Sequence, residues 1–418
     1  MKHIEAIEQP AKISDKTAYI LQTGNARNLA ALRATLGKNQ EDCLITRDLP
    51  LIDGIAVELA DNSSKFLKQL KAMGVKVTKD QAVSVPETKE MQKGREVYPT
   101  KLDIAHRTLN LDQLHEKGIT GQGVTVAIID SGIAPHPDLK DRIVGFFDLV
   151  HQKTEAYDDN KHGTHVSGII AGNGANSDGL YLGAAPQAKL VGIKVLDAEG
   201  MGSTSAIIEG IQTAIEHKDE LGIKVINLSL GSFPQFPLKD DLKVQAVNKA
   251  IEAGITVVCA VGNSGPKPHS IGSPANSPYV ISVGAADDKN TVERGDDQIA
   301  YFTSRGPTKF DELPKPDVVA PGVNIISAGK DEIGYLSLSG TSMASPIVAG
   351  SVALLYQVKP DLNPKEIKEL LMDTAIPLPP PKLSPLAQGK GMIDPLKAVE
   401  KIRENQEKTT TSTKSRKN

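Results

Sequence analysis

Three short stretches of the sequence carry side chains that could do nucleophilic chemistry together. Ser342 lies in GTSMASP, at the start of a stretch whose apolar residues then recur at helical spacing. His162 opens HGTHVSG, and Asp130 ends the continuously apolar run VTVAIID. A serine hydroxyl becomes a nucleophile when an imidazole takes its proton and a carboxylate orients the imidazole. The chain order Asp130, His162, Ser342 is one of the orders in which this triad is known.

Each of these residues also has an interpretation without catalysis. Ser342 could cap the helix that follows it, and Asp130 could cap a turn or contact a dinucleotide. The dinucleotide interpretation is disfavoured because the GQG at residues 121–123 precedes the strand instead of following it. His162 and His165 could bind a metal, but the HExxH spacing of zinc proteases is missing. We expect His165 to form hydrogen bonds in the core instead.

Five stretches resemble those of the subtilisin-like serine proteases, the subtilases. They are AIIDSGIAPHPDL (127–139), HGTHVSGIIAG (162–172), VINLSLG (225–231), VVCAVGNSG (257–265) and GTSMASP (340–346). The resemblance implies a serine endopeptidase in which Ser342 is the nucleophile, His162 the general base and acid, and Asp130 the orienting carboxylate. It also implies that the Asn263 side chain and the backbone N–H of Ser342 stabilise the oxyanion. Residues 145–165 are similar to the AprX-type branch of the family.

The same resemblance implies an extended groove in which a substrate is added as a strand. Glycine-containing edges let the substrate backbone approach and pair. The residues assigned to the two edges and to the first side-chain pocket are Gly200, Met201, Gly202, Ser229, Leu230, Gly231, Ala260 and Gly272. Main-chain pairing does not read side chains, and the pocket walls are small. We therefore expect broad specificity, with a large apolar residue before the cut.

Calcium is the one ion for which the sequence offers candidate ligands. Subtilases often bind it through a loop after the helix of the catalytic histidine, and here residues 172–186 form a longer, glycine-rich loop. Asp138, Asp158 and Asp159 carry oxygen ligands of the kind that calcium prefers. A solvated acidic loop explains the same residues equally well. We expect no cofactor to be required for the chemistry, and calcium only as a structural ion.

The elements that must position these residues form an α/β fold. Over residues 104–402, short continuously apolar runs alternate with helical patterns, which predicts a mostly parallel sheet flanked by helices. Residues 1–85 show the order β-α-β-β-α-β of a small ferredoxin-like α+β unit. This unit resembles the inhibitory propeptide of subtilases, with a separate adaptor domain as the alternative. Residues 86–103 are predicted to be an exposed processing linker, and residues 403–418 a disordered tail.

Composition excludes several classes of partner. The net charge is −3, and no apolar run reaches the roughly 20 residues of a membrane span, so we expect neither nucleic acid nor a membrane as partner. The N-terminal residues contain no apolar leader, and the cysteines, Cys43 and Cys259, provide no disulfide framework. We therefore expect a cytoplasmic protein, with secretion by an unrecognised route as the alternative.

These patterns together predict a serine endopeptidase that cuts proteins and peptides and matures by removing its own inhibitory N-terminal unit. Two other classes stay open. A pseudoenzyme of the same fold would bind proteins without cutting them, although the three triad residues and Asn263 are all present. A nucleotide-binding α/β protein would need a phosphate-binding loop, which the sequence lacks.

Overall fold

A computed structural model describes residues 16–37, 43–60, 63–85, 89–90, 102–330, 334–379 and 384–415. The chain divides into two units, Met1–Gln81 and Ala82–Asn418. The elements of the first unit are the strands β1 (Lys16–Gln22), β2 (Cys43–Leu49), β3 (Gly54–Ala60) and β4 (Lys76–Lys79) and the helices α1 (Ala26–Leu36) and α2 (Ser64–Ala72).

The first unit is an antiparallel sheet with two helices. Its strand order is β2-β3-β1-β4, and β1 is paired with both β3 and β4. The helix α1 begins after Asn25, whose side chain accepts a hydrogen bond from the backbone N–H of Asn28. Leu21, Leu32 and Ile55 belong to its buried core. The order β-α-β-β-α-β that the sequence predicts is therefore present in this unit.

The second unit contains the remaining elements. Its strands are β5 (Ala82–Ser84), β6 (Lys89–Glu90), β7 (Thr125–Asp130), β8 (Ile143–Asp148), β9 (Lys189–Lys194), β10 (Met201–Ser203), β11 (Ile223–Leu228), β12 (Thr256–Ala260), β13 (Ile281–Asp287), β14 (Gln298–Ile299), β15 (Val318–Pro321), β16 (Ile325–Ala328) and β17 (Tyr335–Ser339). Its helices are α3 (Leu102–Thr108), α4 (Leu111–Glu116), α5 (His162–Ala171), α6 (Thr204–Glu216), α7 (Lys218–Leu221), α8 (Leu242–Glu252), α9 (Thr341–Val358), α10 (Pro364–Thr374), α11 (Pro385–Gln388) and α12 (Pro395–Ser415).

A central eight-stranded sheet organises the second unit. Its path is β14-β13-β12-β11-β7-β9-β8, with β15 paired to β13. All of these pairings are parallel except that of β13 with β14. Every residue of β7 and β12 is buried, as expected for strands covered on both faces. The predicted α/β fold, a mostly parallel sheet flanked by helices, is confirmed.

Two buried helices connect the sheet to the residues of interest. The helices α5 and α9 pack against each other, and α9 also packs on β11, β12 and β13. Within the described part of the chain, α9 alone is long and apolar enough to cross a membrane, but 89% of its window is buried inside the protein. Its apolar composition is that of a core helix.

Two predicted boundaries differ from the structure. Residues 403–415 continue α12 and do not form the predicted disordered tail. Val399 and Ile402 anchor the preceding turn of this helix in the core. The Glu, Lys and Gln residues that follow favour helix. The predicted first domain ends earlier, since residues 82–85 belong to the second unit through the pairing of β5 with β10. Most of the predicted linker lies outside the described residues, and β6 within it pairs with β17.

Candidate active site

Asp130 is the last residue of β7 and is fully buried. A buried carboxylate needs hydrogen-bond donors to offset its lost hydration. Its Oδ1 accepts a hydrogen bond from the backbone N–H of Ser131 at 2.7 Å and lies 2.8 Å from Nδ1 of His162. This pairing turns Nδ1 toward the carboxylate, so that Nε2 is the ring nitrogen left for proton transfer.

His162 is the first residue of α5, and Asp158 holds that end of the helix. Oδ2 of Asp158 accepts hydrogen bonds from the backbone N–H and the hydroxyl of Thr164. Oδ1 accepts the hydroxyl of Ser131, the residue that follows Asp130. Asp158 therefore satisfies donors that the start of a helix leaves unpaired. It also connects the segment of His162 to the segment of Asp130.

Ser342 is the second residue of α9 and is fully buried. Pro346 lacks the N–H that would bond to the Ser342 carbonyl one turn earlier, and the hydroxyl of Ser229 donates to that carbonyl instead, at 3.0 Å. The Ser342 hydroxyl donates to the carbonyl oxygen of Ser229, also at 3.0 Å. The helix begins after Gly340 without a side-chain cap. Ser342 is therefore not a capping residue.

The hydrogen bond between Ser342 and His162 is not formed in this structure. The Ser342 hydroxyl is engaged with Ser229, and Nε2 of His162 is buried without a partner among the residues that the structure describes. Hydrogen bonds between nucleophile and base are often loose without substrate and tighten when substrate binds. Asp130 and His162 are thus joined directly, while the hydroxyl of Ser342 is held in another hydrogen bond.

Asn263 is oriented by Thr341. Its Oδ1 accepts hydrogen bonds from both the backbone N–H and the hydroxyl of Thr341, each at 3.0 Å. A Cβ built on Gly340 would lie 3.1 Å from Nδ2 of Asn263 and 3.6 Å from the backbone nitrogen of Ser342. The two nitrogen donors therefore both lie beside the position that a side chain of residue 340 would occupy. A carbonyl oxygen that develops negative charge there would be stabilised by both.

A strand of the chain itself, β5, lies along both predicted substrate edges. It runs antiparallel to β10, with Ser84 opposite Met201. The N–H of Val85 donates to the carbonyl of Gly200 at 3.1 Å. Ser84 and Gly231 exchange two backbone hydrogen bonds, at 3.3 and 3.4 Å. Both edges thus pair with a strand of the chain itself.

A cavity of about 260 Å³ opens beside this strand. Four of the residues predicted for the pocket and its edge line it, namely Leu230, Gly231, Ala260 and Gly272. Phe233, which the sequence reasoning did not single out, also lines it and is 45% exposed. Ser229 is not among the lining residues, and its hydroxyl donates to the carbonyl of Ser342.

The structure does not bring the predicted calcium ligands together. Asp158 holds the start of α5, and Asp138 accepts a hydrogen bond from the hydroxyl of Tyr335 at 2.7 Å. Asp159 pairs with Lys194 at 2.6 Å. In the described ranges, no group of three His, Cys, Asp or Glu side chains is arranged as metal ligands. Each of the three carboxylates instead has its own structural partner.

His165 supports the hairpin of β16 and β17 that leads into α9. It is fully buried, and its Nε2 lies 3.1 Å from the carbonyl of Ile325 and 3.0 Å from that of Leu336. Burial, and secondarily the neighbouring His162, lowers the pKa of His165 to about 3. It therefore stays neutral at ordinary pH and forms hydrogen bonds in the core, as the sequence predicts.

Ser131 and Thr341 shape the site, and the sequence reasoning missed both. Ser131 bridges Asp158 and the backbone N–H of Gly163 with its hydroxyl. Thr341 holds Asn263 through two donors. Each is adjacent in sequence to a residue of the proposed triad, within a motif already recognised. Their position next to Asp130 and Ser342 was the feature of the sequence that could have identified them.

Comparison with known proteins identifies the family. The profile of the subtilase family, peptidase S8, matches residues 121–412. The serine protease AprX of Bacillus subtilis (strain 168) is 47% identical over 290 residues, 65% of this chain and 65% of that protein. Subtilisin Savinase of Lederbergia lenta is 42% identical over 264 residues, 63% of this chain and 87% of the relative. A thermostable alkaline protease of Halalkalibacterium halodurans is 37% identical over 340 residues, 81% of this chain and 82% of the relative.

The resemblance to subtilases that the motifs carry is confirmed by these matches. The expected cytoplasmic location is wrong, because the relatives include secreted extracellular subtilisins and alkaline proteases. Few cysteines are a poor guide to location here, since a chain that buries a large core needs no disulfides in any compartment.

Proposed function

The chain belongs to the subtilase family of serine endopeptidases, and we propose that it hydrolyses peptide bonds of proteins through an acyl-enzyme on Ser342. The observation that carries the proposal is the 2.8 Å hydrogen bond between Nδ1 of His162 and Asp130. It belongs to a site in which α5, which begins at His162, packs on α9, which holds Ser342 near its start.

The chemistry follows from these positions. The Ser342 hydroxyl leaves the carbonyl of Ser229 and gives its proton to Nε2 of His162 while its oxygen attacks the carbonyl carbon of the scissile bond. Asp130 stabilises the imidazolium, and Nδ2 of Asn263 and the N–H of Ser342 stabilise the oxyanion. His162 then protonates the leaving amine as the C–N bond breaks. A water molecule, deprotonated by His162, hydrolyses the ester.

We propose broad specificity, with a preference for a large apolar residue before the cut. The edges at Gly200 and Gly231 bind backbone, which every peptide shares. Leu230, Val261 and Phe233 give the adjoining cavity apolar walls. No acidic side chain is among the described residues that line it, which disfavours a preference for lysine or arginine.

We propose that the N-terminal unit is an inhibitory propeptide removed by self-processing. The pairing of β5 with the substrate edges supports this, because a strand in that groove excludes other substrates. On the other side of the site, β6 pairs with β17, which leads directly into α9. The scissile bond is therefore proposed between Val85 and Lys89. A separate adaptor domain is the alternative for the N-terminal unit.

The proposed chemistry needs no cofactor, in keeping with other subtilases. His162 supplies the proton transfer, and Asn263 with the N–H of Ser342 supplies the oxyanion donors. Calcium as a structural ion at Asp138, Asp158 and Asp159 finds no support in their contacts.

The test compares the purified full chain with its Ser342→Ala variant by intact mass over time, in the presence of a denatured protein. We expect the parent to release a fragment ending between residues 85 and 89 and to degrade the protein, and the variant to do neither. A pseudoenzyme predicts that both chains stay intact and that the protein survives, even after the N-terminal unit is cut away.

A further inference from the structure

Lys194 is a fully buried lysine that directly follows four apolar residues of its strand. It is the last residue of β9, where it follows Leu-Val-Gly-Ile and lies opposite Asp130 of β7. Burying an ammonium group is costly unless its donors are matched. The proposed mechanism uses none of its atoms, so its presence needs another explanation.

All three donors of the Lys194 ammonium have an acceptor. The acceptors are the carbonyl oxygens of Ser131 and Leu196, at 2.7 and 2.6 Å, and Oδ1 of Asp159, at 2.6 Å. Ser131 directly follows Asp130, and Asp159 lies shortly before His162 in the sequence. Lys194 is thus bonded both to the segment that carries the acid and to the segment that carries the base.

We propose that Lys194 and Asp159 are a positioning pair that sets Asp130 relative to His162. The proposal rests on the proposed function, because its readout is turnover. Replacing the ammonium group releases the carbonyl of Ser131 and the carboxylate of Asp159 together, so both segments lose a fixed support. A misplacement of about 1 Å in an active site can cost on the order of a hundredfold in rate.

Substrate binding should depend on Lys194 much less, because the substrate edge has supports of its own. The N–H of Asp197 donates to the carbonyl of Met201 at 2.9 Å, and the N–H of Met201 donates to Oδ1 of Asp197 at 2.8 Å. Nδ2 of Asn160 donates to the carbonyl of Ala198 at 2.9 Å. None of these bonds involves an atom of Lys194. The expected signature is therefore a lower kcat with KM nearly unchanged.

The experiment measures kcat and KM of processed enzyme on a peptide p-nitroanilide with phenylalanine before the cut. Active sites are counted by titration with a stoichiometric serine inhibitor, so that loss of folded protein does not enter kcat. Lys194→Met keeps the apolar stem, and we expect kcat to fall roughly ten- to a hundredfold. Asp159→Asn keeps an acceptor on a side chain that is 30% exposed, and we expect a smaller fall in kcat.

Lys249→Met is the matched control, because it makes the same substitution at an exposed lysine, which pairs with Glu252 at 2.8 Å on α8. We expect this variant to have the kcat and KM of the parent. Parental kcat per active site in both test variants, or a raised KM with unchanged kcat, overturns the inference. If Lys194→Met yields no folded enzyme, the kcat and KM of Asp159→Asn alone test the inference. An inactive parent overturns the proposed function and with it the inference, whereas an active parent with unaffected variants overturns the inference only.

Discussion

Asn263 illustrates how one side chain is prepared for chemistry by its neighbour. An asparagine amide has an acceptor end and a donor end, and Thr341 occupies the acceptor end with two donors. The NH2 group is consequently the end that lies beside Gly340. The backbone nitrogen of Ser342 also lies beside Gly340, so we propose that Asn263 stabilises the transition state and does not contribute to the binding of substrate.

Asn263→Leu should therefore lower kcat and leave KM nearly unchanged. Loss of one such donor costs about 10²–10³ in kcat in subtilisin, a relative of this chain, and we expect a loss of that order. Steady-state kinetics on a peptide p-nitroanilide measure it, with the fraction of active sites titrated. A rise in KM at constant kcat would assign Asn263 to ground-state binding instead.

Asp288 makes stability depend on pH. Burial, and secondarily the negative charge of Asp297, raises the pKa of Asp288 to about 7. Because the folded-state pKa exceeds the usual value of 3.8, this group's contribution to stability is complete below the unfolded-state pKa and is lost as pH rises toward 7. Asp288→Asn carries no charge to bury and should avoid that loss.

The stabilisation by Asp288→Asn should thus grow as the pH rises from the unfolded-state pKa toward 7, and it should be about 1–3 kcal/mol larger at pH 8 than at pH 5. Thermal unfolding of Ser342→Ala, with and without the second substitution, measures it without self-digestion. An equal effect at both pH values would mean that the Asp288 carboxyl does not titrate in this range.

At the scale of elements, the site is assembled from strand ends and helix starts. The proposed acid, Asp130, ends β7, the proposed base, His162, begins α5, and the proposed nucleophile, Ser342, follows β17 at the start of α9. A buried strand end and a buried helix start both expose unpaired backbone groups, which need local partners. Here Asp158 and Ser229 supply them, and in doing so they fix the catalytic candidates.

The strand β5 offers a direct test of substrate binding by backbone pairing. Val85→Pro removes the N–H that bonds to the carbonyl of Gly200 at 3.1 Å. A hydrogen bond of this kind contributes about 1 kcal/mol, so we expect self-processing to slow by roughly fivefold or more. Val85→Ala keeps the N–H and should process at nearly the parental rate. If the proline and alanine variants mature equally fast, the pairing does not contribute to recognition.

At the scale of the whole molecule, local sequence patterns predicted the strands and the short motifs, but they did not predict contacts between residues far apart in the sequence. The apolar runs predicted β7, β9, β11 and β12, because a strand that is buried on both faces consists of consecutive apolar residues. The triad candidates were visible because each occupies a short motif. The two hydrogen bonds between Ser342 and Ser229 were not predictable, because these residues are far apart in the sequence. One of them replaces the bond that the Ser342 carbonyl would receive if residue 346 were not proline.

The boundary between the units and the role of Lys194 escaped sequence analysis for the same reason. Residues 82–85 read as the end of the first unit until their partner strand, β10, is known. Lys194 stands as a charged residue at the end of an apolar run, which was a visible signal. Its partners, Ser131 and Asp159, are specified by the fold alone.

The most direct test of the central claim is covalent labelling with a fluorophosphonate, which reacts with a serine activated by a neighbouring base. The N-terminal unit of each chain is first removed, by self-processing or with an added protease; the chain is then labelled, and the modified peptide is located by mass spectrometry. The account predicts a label on Ser342 that is lost in His162→Ala and slowed in Asp130→Asn. A label on another residue, or labelling of Ser342 at the parental rate in His162→Ala, would contradict it.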